Sequence, residues 1–248
     1  SSYRFFCGYA LALHKRFIEL GAQSLFEPVL VDKLDANAIY QWQENLHKQG
    51  VLSAVADLQV PIETQPELLQ LIKRELVNAG SPGAGMYAVE LKAPTHLQWQ
   101  AGDILRIFIA GQQREYSIAS VMAEGCIRLL VRDQRYPDGR LGLGSGLLCH
   151  QLTIGQSIEA NIRSNSAFHS PDADVPLILI GNGTGLAGLR AHLKERENYS
   201  SRNWLIYGER SAEHDRPFYS ELLHWASNDH LEQLDLAYSR TSSETHKK

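Results

Sequence analysis

One segment constrains this chain more than any other. Pro176-Leu177-Ile178-Leu179-Ile180 is an unbroken apolar run that passes directly into Gly181-Asn182-Gly183-Thr184-Gly185. A continuous apolar run of this length suits a parallel strand covered on both faces. Gly183, Gly185 and Gly188 fit G-x-G-x-x-G between that strand and a helix reaching about Arg196. Glycines there let backbone N–H groups approach a pyrophosphate, and the helix N-terminus favours anions. The plain alternative is a tight strand-to-helix turn without a ligand. It is not a Walker A loop, because no Lys-Ser/Thr follows Gly188. Further strands are expected at Asn203–Tyr207 and Leu231–Ala237, with a helix over Phe218–Ala226 between them. The result is βαβαβ, the start of a doubly wound sheet and half of a normal nucleotide-binding one.

The segment before it has a different rhythm. Short strand-like runs at Met86–Leu91, Ile104–Ile109, Tyr116–Ser120, Ile127–Val131 and Ser157–Ile162 are punctuated by Gly, Pro and Asp. That pattern predicts an antiparallel sandwich or small barrel. Pro66–Val77 has the spacing of a connecting helix. Farther upstream, Phe5–Leu20 is apolar at helical spacing, Ser24–Asp32 suits a short buried strand, and Asp35 can cap a helix reaching about Lys48. A lone strand between two helices has no sheet to join.

Composition excludes several classes. The 248 residues are 44% hydrophobic and 21% charged, ordinary for globular chains and unlike disordered or fibrous ones. A net charge of −4 disfavours a nucleic-acid partner. Cys7, Cys126 and Cys149 form neither a zinc pair nor an even disulfide framework, so a reducing, cytoplasmic compartment is expected. No run reaches the ~18 apolar residues of a membrane span. No signal-peptide pattern opens the chain, and the ten histidines show no paired ligand spacing.

Three further strings carry chemistry. Arg114-Glu115-Tyr116-Ser117 places a cation and an aromatic on one face of a strand, with Ser117 on the other. A cation beside a flat ring suits a ligand with a phosphate and an aromatic system, and also describes an ordinary cross-strand pair. Gly142-Leu143-Gly144-Ser145-Gly146 is a second glycine-rich turn able to cradle a phosphate. Glu209, ending the second strand of the α/β part, stands where an acid holds ribose hydroxyls and would select NAD. Ser239 and Arg240, ending the third, could instead hold a 2′-phosphate. Both readings stand on the residues alone.

Taken together and in this order, the strings resemble the NADPH-dependent diflavin reductases, the family of sulfite reductase flavoproteins and NADPH–haemoprotein reductases, which contain a ferredoxin–NADP reductase-like module. The resemblance covers nearly the whole chain. It implies a multi-domain fold: the C-terminal remnant of a flavodoxin-like α/β domain over 1–60, a linker helix over 61–80, an antiparallel β-barrel FAD-binding domain over 81–172, and a C-terminally truncated α/β parallel-sheet NADP-binding domain over 173–248. Carried across residue by residue, Arg114 would pair with the FAD pyrophosphate and Tyr116 would pack on the isoalloxazine. Ser117 would act near flavin N5, as the catalytic residue. Leu130 and Val131 would line the flavin site, and Gly142, Gly144, Ser145 and Gly146 would hold its phosphates, with Arg163 adding a contact. Gly183, Thr184 and Gly185 would meet the NADPH pyrophosphate. Ser239, Arg240 and Lys247 would read its 2′-phosphate, which favours NADPH over the NAD reading. Tyr3 resembles the aromatic that packs on FMN in an intact parent.

The implied activity is hydride transfer from NADPH to FAD, then electron transfer through FMN to a haem- or iron-containing acceptor. Non-turnover nucleotide binding, a single-flavin ferredoxin–NADP reductase-like enzyme and a ferric-chelate reductase are the alternatives. Three departures from the family stand out. The large helical insert between Ile109 and Arg114 is reduced to four residues, Gly188 replaces the family's proline, and the C-terminal Cys-Gly-Asp strand and aromatic cover are missing. Both ends therefore read as cut inside a domain, with any membrane anchor outside these residues.

Overall fold

The computed structural model describes residues 6–32, 35–53 and 65–240, and groups the chain into two compact units, Ser1–Ile62 and Glu63–Lys248.

In the first unit α1 spans Gly8–Glu19 and α2 spans Ala36–Lys48. Asp35 caps α2 as expected, its carboxylate accepting the Asn37 N–H at 3.0 Å. The strand expected over Ser24–Asp32 does not form: the described part of that segment is irregular, and Leu25 and Leu30 are exposed. Its apolar run satisfies the pattern of a strand, but no other strand lies among the described residues of this unit to pair with it.

The second unit opens with a correction. Residues 66–77, expected as a linker helix, form the strand β1, Glu67–Leu76. The apolar spacing there fits either period, and the sheet decides. β1 pairs antiparallel with β2 (Met86–Lys92) on one edge and β6 (Ser157–Arg163) on the other, and Leu69 and Leu71 point into the core. Ladders over Glu67–Gln70 with β6 and over Gln70–Leu76 with β2 outweigh helix propensity, which is a fraction of a kcal/mol per residue. A bulge between Leu71 and Lys73 shifts the register along the rest of the strand. The barrel thus begins at β1, earlier than the predicted boundary at residue 81.

The remaining strands are β3 (Ile104–Ile109), β4 (Gln112–Ser117) and β5 (Ile127–Arg132), in the order β4-β3-β6-β1-β2-β5. A bridge between Ile118 and Leu129 joins the two edge strands, and the Ala119 N–H donates to the Arg128 carbonyl at 2.7 Å. The six strands therefore close on themselves, removing free sheet edges. Inside lies a core that includes Leu69, Leu91, Leu105, Ile107, Ile127 and Leu148.

The α/β part follows. Parallel strands β7 (Leu177–Asn182), β8 (Asn203–Glu209) and β9 (Gln233–Tyr238) lie side by side in chain order. The helices α4 (Leu186–Glu195) and α5 (Tyr219–Ser227) connect them. The expectation of a β7 covered on both faces fails: Leu179 is buried, whereas Ile178 and Ile180 are 61% and 69% exposed. Both helices follow crossovers to the next strand on the same side, so the described residues cover one face. The core of this part takes in Met86, Ala119 and Leu130 from the barrel side, so the two subdomains are packed together through buried apolar surface.

Candidate functional site

Two clefts adjoin the glycine turn. The first, of roughly 540 Å³, lies against β4 and β5 of the barrel. Its lining includes Arg114, Tyr116, Leu130, Val131, Gly142, Gly144, Ser145 and Thr184. The alternation of β4 puts Arg114 and Tyr116 on the same side, and both lie over Gly144. A Cβ added there would stand 2.3 Å from the Tyr116 hydroxyl oxygen and 2.9 Å from Arg114 Cγ. Glycine at this position allows that approach, and the Arg-x-Tyr-Ser string and the second glycine turn lie against each other. Burial raises the Tyr116 phenol to about 12, with the nearby Cys149 adding and Arg114 opposing. It is neutral at ordinary pH.

The turn is a single helical turn, α3 (Leu143–Gly146), running on as a π-type turn over Leu147–Gln151. The segment after β5 anchors it. The Gly142 N–H donates to the Gln134 carbonyl at 2.6 Å, and the Gln134 N–H donates to Ser145 Oγ at 3.1 Å. Gly146 packs on the Leu141 side chain instead of lining the cleft. Leu130 and Val131 line the cleft with buried side chains, one in each core. Arg114 folds back along its strand, donating to Gln113 O at 2.7 Å and Gln112 Oε1 at 2.8 Å. Arg163 is engaged elsewhere, with Nε 2.9 Å from Glu115 Oε1, and is not part of the cleft lining.

Ser117 points away from Tyr116, as the strand period requires. It lies beside Gly188 at the start of α4, where an added Cβ would be 3.7 Å from Ser117 Cβ. The barrel's serine thus stands close to the start of the helix that follows the glycine turn, and the third glycine of the motif is the point of approach.

The second cleft, of roughly 520 Å³, runs along the C-terminal ends of β7, β8 and β9. This is the edge at which open α/β sheets bind ligands. Gly183 occupies the left-handed region at φ +54°, and its carbonyl accepts the Tyr207 hydroxyl at 3.0 Å. Ser239 lines this cleft; Arg240 is exposed next to it, its N–H donating to the Arg210 carbonyl at 2.8 Å. Glu209 also lines it but is not a free acceptor. Its side chain is 2% exposed, Arg132 Nη2 lies 2.5 Å from Oε1, and the Arg210 N–H donates to Oε2 at 3.0 Å. Gly185 lies in open space at the turn. Tyr3 and Lys247 lie outside the described residues.

Sequence reasoning missed two arginines. Arg132, at the end of β5, lines both clefts. Arg190 of α4 is 1% exposed and joins the subdomains. It pairs with Glu124 of the barrel side at 2.8 Å and Glu221 of α5 at 2.6 Å, and donates to the Ala119 carbonyl at 2.5 Å. Neither has a local signal, because their partners are distant in sequence. Among the described residues no group of His, Cys, Asp and Glu is arranged to hold a metal, and no helix is long and apolar enough to cross a membrane.

No protein-family model matches the chain. Among curated proteins it is 36% identical over 139 residues to the sulfite reductase [NADPH] flavoprotein alpha-component of Vibrio cholerae, covering 53% of this chain and 23% of that protein. The alpha-component of Shewanella oneidensis is 27% identical over 238 residues, 90% of this chain and 37% of its own length. Among solved structures, a ferredoxin–NADP+ reductase from Plasmodium falciparum with 2′P-AMP aligns with a TM-score of 0.66 at 18% identity, covering 76% of this chain and 79% of that one. Over these stretches the chain is similar to sulfite reductase flavoprotein alpha-components, and its fold is similar to that of ferredoxin–NADP+ reductase. The antiparallel six-stranded sheet followed by a parallel three-stranded one is the arrangement that likeness describes. The chain spans well under half the length of the curated relatives it matches.

Proposed function

We propose that this chain is the reductase portion of an NADPH-dependent flavoprotein oxidoreductase, with FAD in the barrel cleft and NADPH along the sheet edge. One observation carries the reading: Arg114 and Tyr116 converge on Gly144, while Ser117, next in the chain, lies beside Gly188 of the dinucleotide-type turn. The first cleft fits a flavin dinucleotide. Gly144 leaves a cradle that a Cβ would fill, Arg114 supplies a cation, and Tyr116 supplies a neutral ring. The bound flavin supplies hydride acceptance from NADPH and one-electron donation onward.

The chain's own residues bind and orient. The Arg114 guanidinium leaves its strand contacts to pair with pyrophosphate, a charge-assisted bond. α3 presents backbone N–H groups to the same phosphates. Ser117 offers a hydroxyl where the subdomains meet, and Gly188 keeps the helix backbone close to it. Ser239 and Arg240 take the 2′-phosphate. Both clefts are walled by the same interface, so one nucleotide can approach the other without a further domain between them.

The flavodoxin-like remnant belongs to the same reading: the first unit is part of an FMN-binding domain. The acceptor in this reading is a haem- or iron-containing protein, carried over from the resemblance of the sequence strings to the family. A second reading, nucleotide binding without turnover, is favoured by the open face of the three-stranded sheet at Ile178 and Ile180. Anaerobic mixing of the FAD-loaded chain with NADPH separates them. Rapid bleaching of the flavin supports the oxidoreductase; bound FAD that NADPH leaves oxidised supports the binding module.

A further inference from the structure

Glu209 and Ser239–Arg240 pull the nucleotide preference in opposite directions when the sequence is read alone. The structure brings a third party, from the barrel, into that competition. We propose that Arg132 is a specificity-determining residue: it neutralises Glu209 and so makes the second cleft receptive to a 2′-phosphorylated nucleotide. The inference rests on reading that cleft as the NADPH site.

Glu209 ends β8 and lines the cleft together with Ser239. A carboxylate at the end of a nucleotide-binding strand accepts ribose hydroxyls and repels a phosphate. Little water reaches this one, so the repulsion is poorly screened. Arg132 reaches it across the subdomain interface, Nη2 to Oε1 at 2.5 Å. The pair stands directly on the glycine turn. A Cβ added to Gly183 would be 3.4 Å from Arg132 Nη2 and 3.6 Å from Glu209 Oε1. Tyr207 completes the surroundings, its hydroxyl 3.0 Å from the Gly183 carbonyl and 3.4 Å from Glu209 Oε1. Burial, followed by the Glu209 charge, pushes the Tyr207 phenol up, so it remains a neutral donor.

The charged side chains lining the cleft are Arg132, Glu209 and Arg210. Together they leave one excess positive charge. Losing Arg132 makes the wall neutral and leaves the Glu209 charge unpaired. Losing the Glu209 charge leaves two positive charges, and losing both returns the wall to one. A preference built on charge must therefore rank Glu209→Gln above the wild type, the wild type above Arg132→Gln, and the double variant with the wild type. A preference built on direct contact between Arg132 and phosphate gives a different rank, with the double variant as poor as Arg132→Gln.

The experiment is calorimetric titration of the full chain with 2′-phospho-AMP and with AMP at one fixed, low ionic strength. The ratio of their affinities isolates the 2′-phosphate. The expected ratio falls at least tenfold in Arg132→Gln, rises several-fold in Glu209→Gln, and returns close to the wild-type value in the double variant. An unchanged ratio in Glu209→Gln overturns the proposal, as does a double variant that stays low. If Arg132→Gln does not fold, with its carboxylate left buried and unpaired, Glu209→Gln and the double variant still decide. A wild-type chain that binds neither compound overturns the nucleotide reading itself; discrimination by the wild type that Glu209→Gln leaves unaltered overturns this inference alone.

Discussion

Replacing Arg190 by Met removes the guanidinium that Glu124 and Glu221 share across the subdomain interface. Both of its contacts to these carboxylates are forked. Nη1 and Nη2 reach Glu124 Oε2 and Oε1 at 2.9 and 2.8 Å, and Nε and Nη2 reach Glu221 Oε2 and Oε1 at 2.6 and 2.8 Å. Phe218 lies under the guanidinium at 5.0 Å. Removing one partner of a buried ion pair costs about 3–5 kcal/mol, mostly from the charge left behind. Glu124 and Glu221 are 13% and 24% exposed, and Arg128 also holds Glu124 at 3.1 Å, so the lower end, about 3 kcal/mol, applies. For a unit of this size 1 kcal/mol is about 2–4 °C, so the melting temperature falls by roughly 6–12 °C. Thermal and urea unfolding of the whole chain read it. Arg190→Lys keeps the charge, loses the fork and falls between. Adding Glu124→Gln and Glu221→Gln to Arg190→Met restores much of the loss. An Arg190→Met protein within about 1 kcal/mol of the wild type would refute the argument, because the two carboxylates would then have found water without it.

Three other outcomes follow from the same geometry. Gly144→Ala drives a methyl group onto the Tyr116 hydroxyl and Arg114 Cγ. Overpacking of this kind costs about 1–3 kcal/mol; FAD affinity, measured by flavin fluorescence, falls by roughly tenfold or more. Ser117→Ala leaves FAD binding intact and slows flavin reduction by NADPH about tenfold in stopped flow, corresponding to about 1.4 kcal/mol of transition-state stabilisation. An acid scan tests the interface ion network. Burial raises the Glu124 carboxyl, but the hydrogen bonds and charge of Arg190, the Val121 N–H and Arg128 outweigh it, and the net position is below its ordinary 4.5. The unfolded chain then takes up that proton first. The contribution is present above pH 4.5 and is lost as pH falls through the depressed folded value. Circular dichroism against pH shows the loss in the wild type and a reduced one in Glu124→Gln.

Local structure was legible in the sequence. The strand–glycine turn–helix of the α/β part is contiguous, and α4, β8, α5 and β9 follow where periodicity puts them, within two residues or so at their ends. Arg114 and Tyr116 share one face of β4, as strand alternation requires, and the structure adds that both lie over Gly144. What failed was decided by neighbours far along the chain. Residues 66–77 carry a spacing compatible with a helix, and pairing on both edges with β2 and β6 made a strand. Ser24–Asp32 had the opposite fate: strand composition without a described partner. The pairs Arg132–Glu209 and Arg190–Glu124 span 77 and 66 residues, and no spacing rule connects them. Arg163 was drawn to Glu115 on the neighbouring barrel surface, a competition that the motif alone does not contain.

The most direct test of the two-cleft account is the visible spectrum of the purified chain, with released flavin identified by chromatography after incubation with equal FAD and FMN. The account predicts FAD near one per chain, little FMN, and loss of the FAD in Gly144→Ala. A folded chain that takes up neither flavin, or prefers FMN, would contradict the assignment of the Arg114–Tyr116–Gly144 cleft.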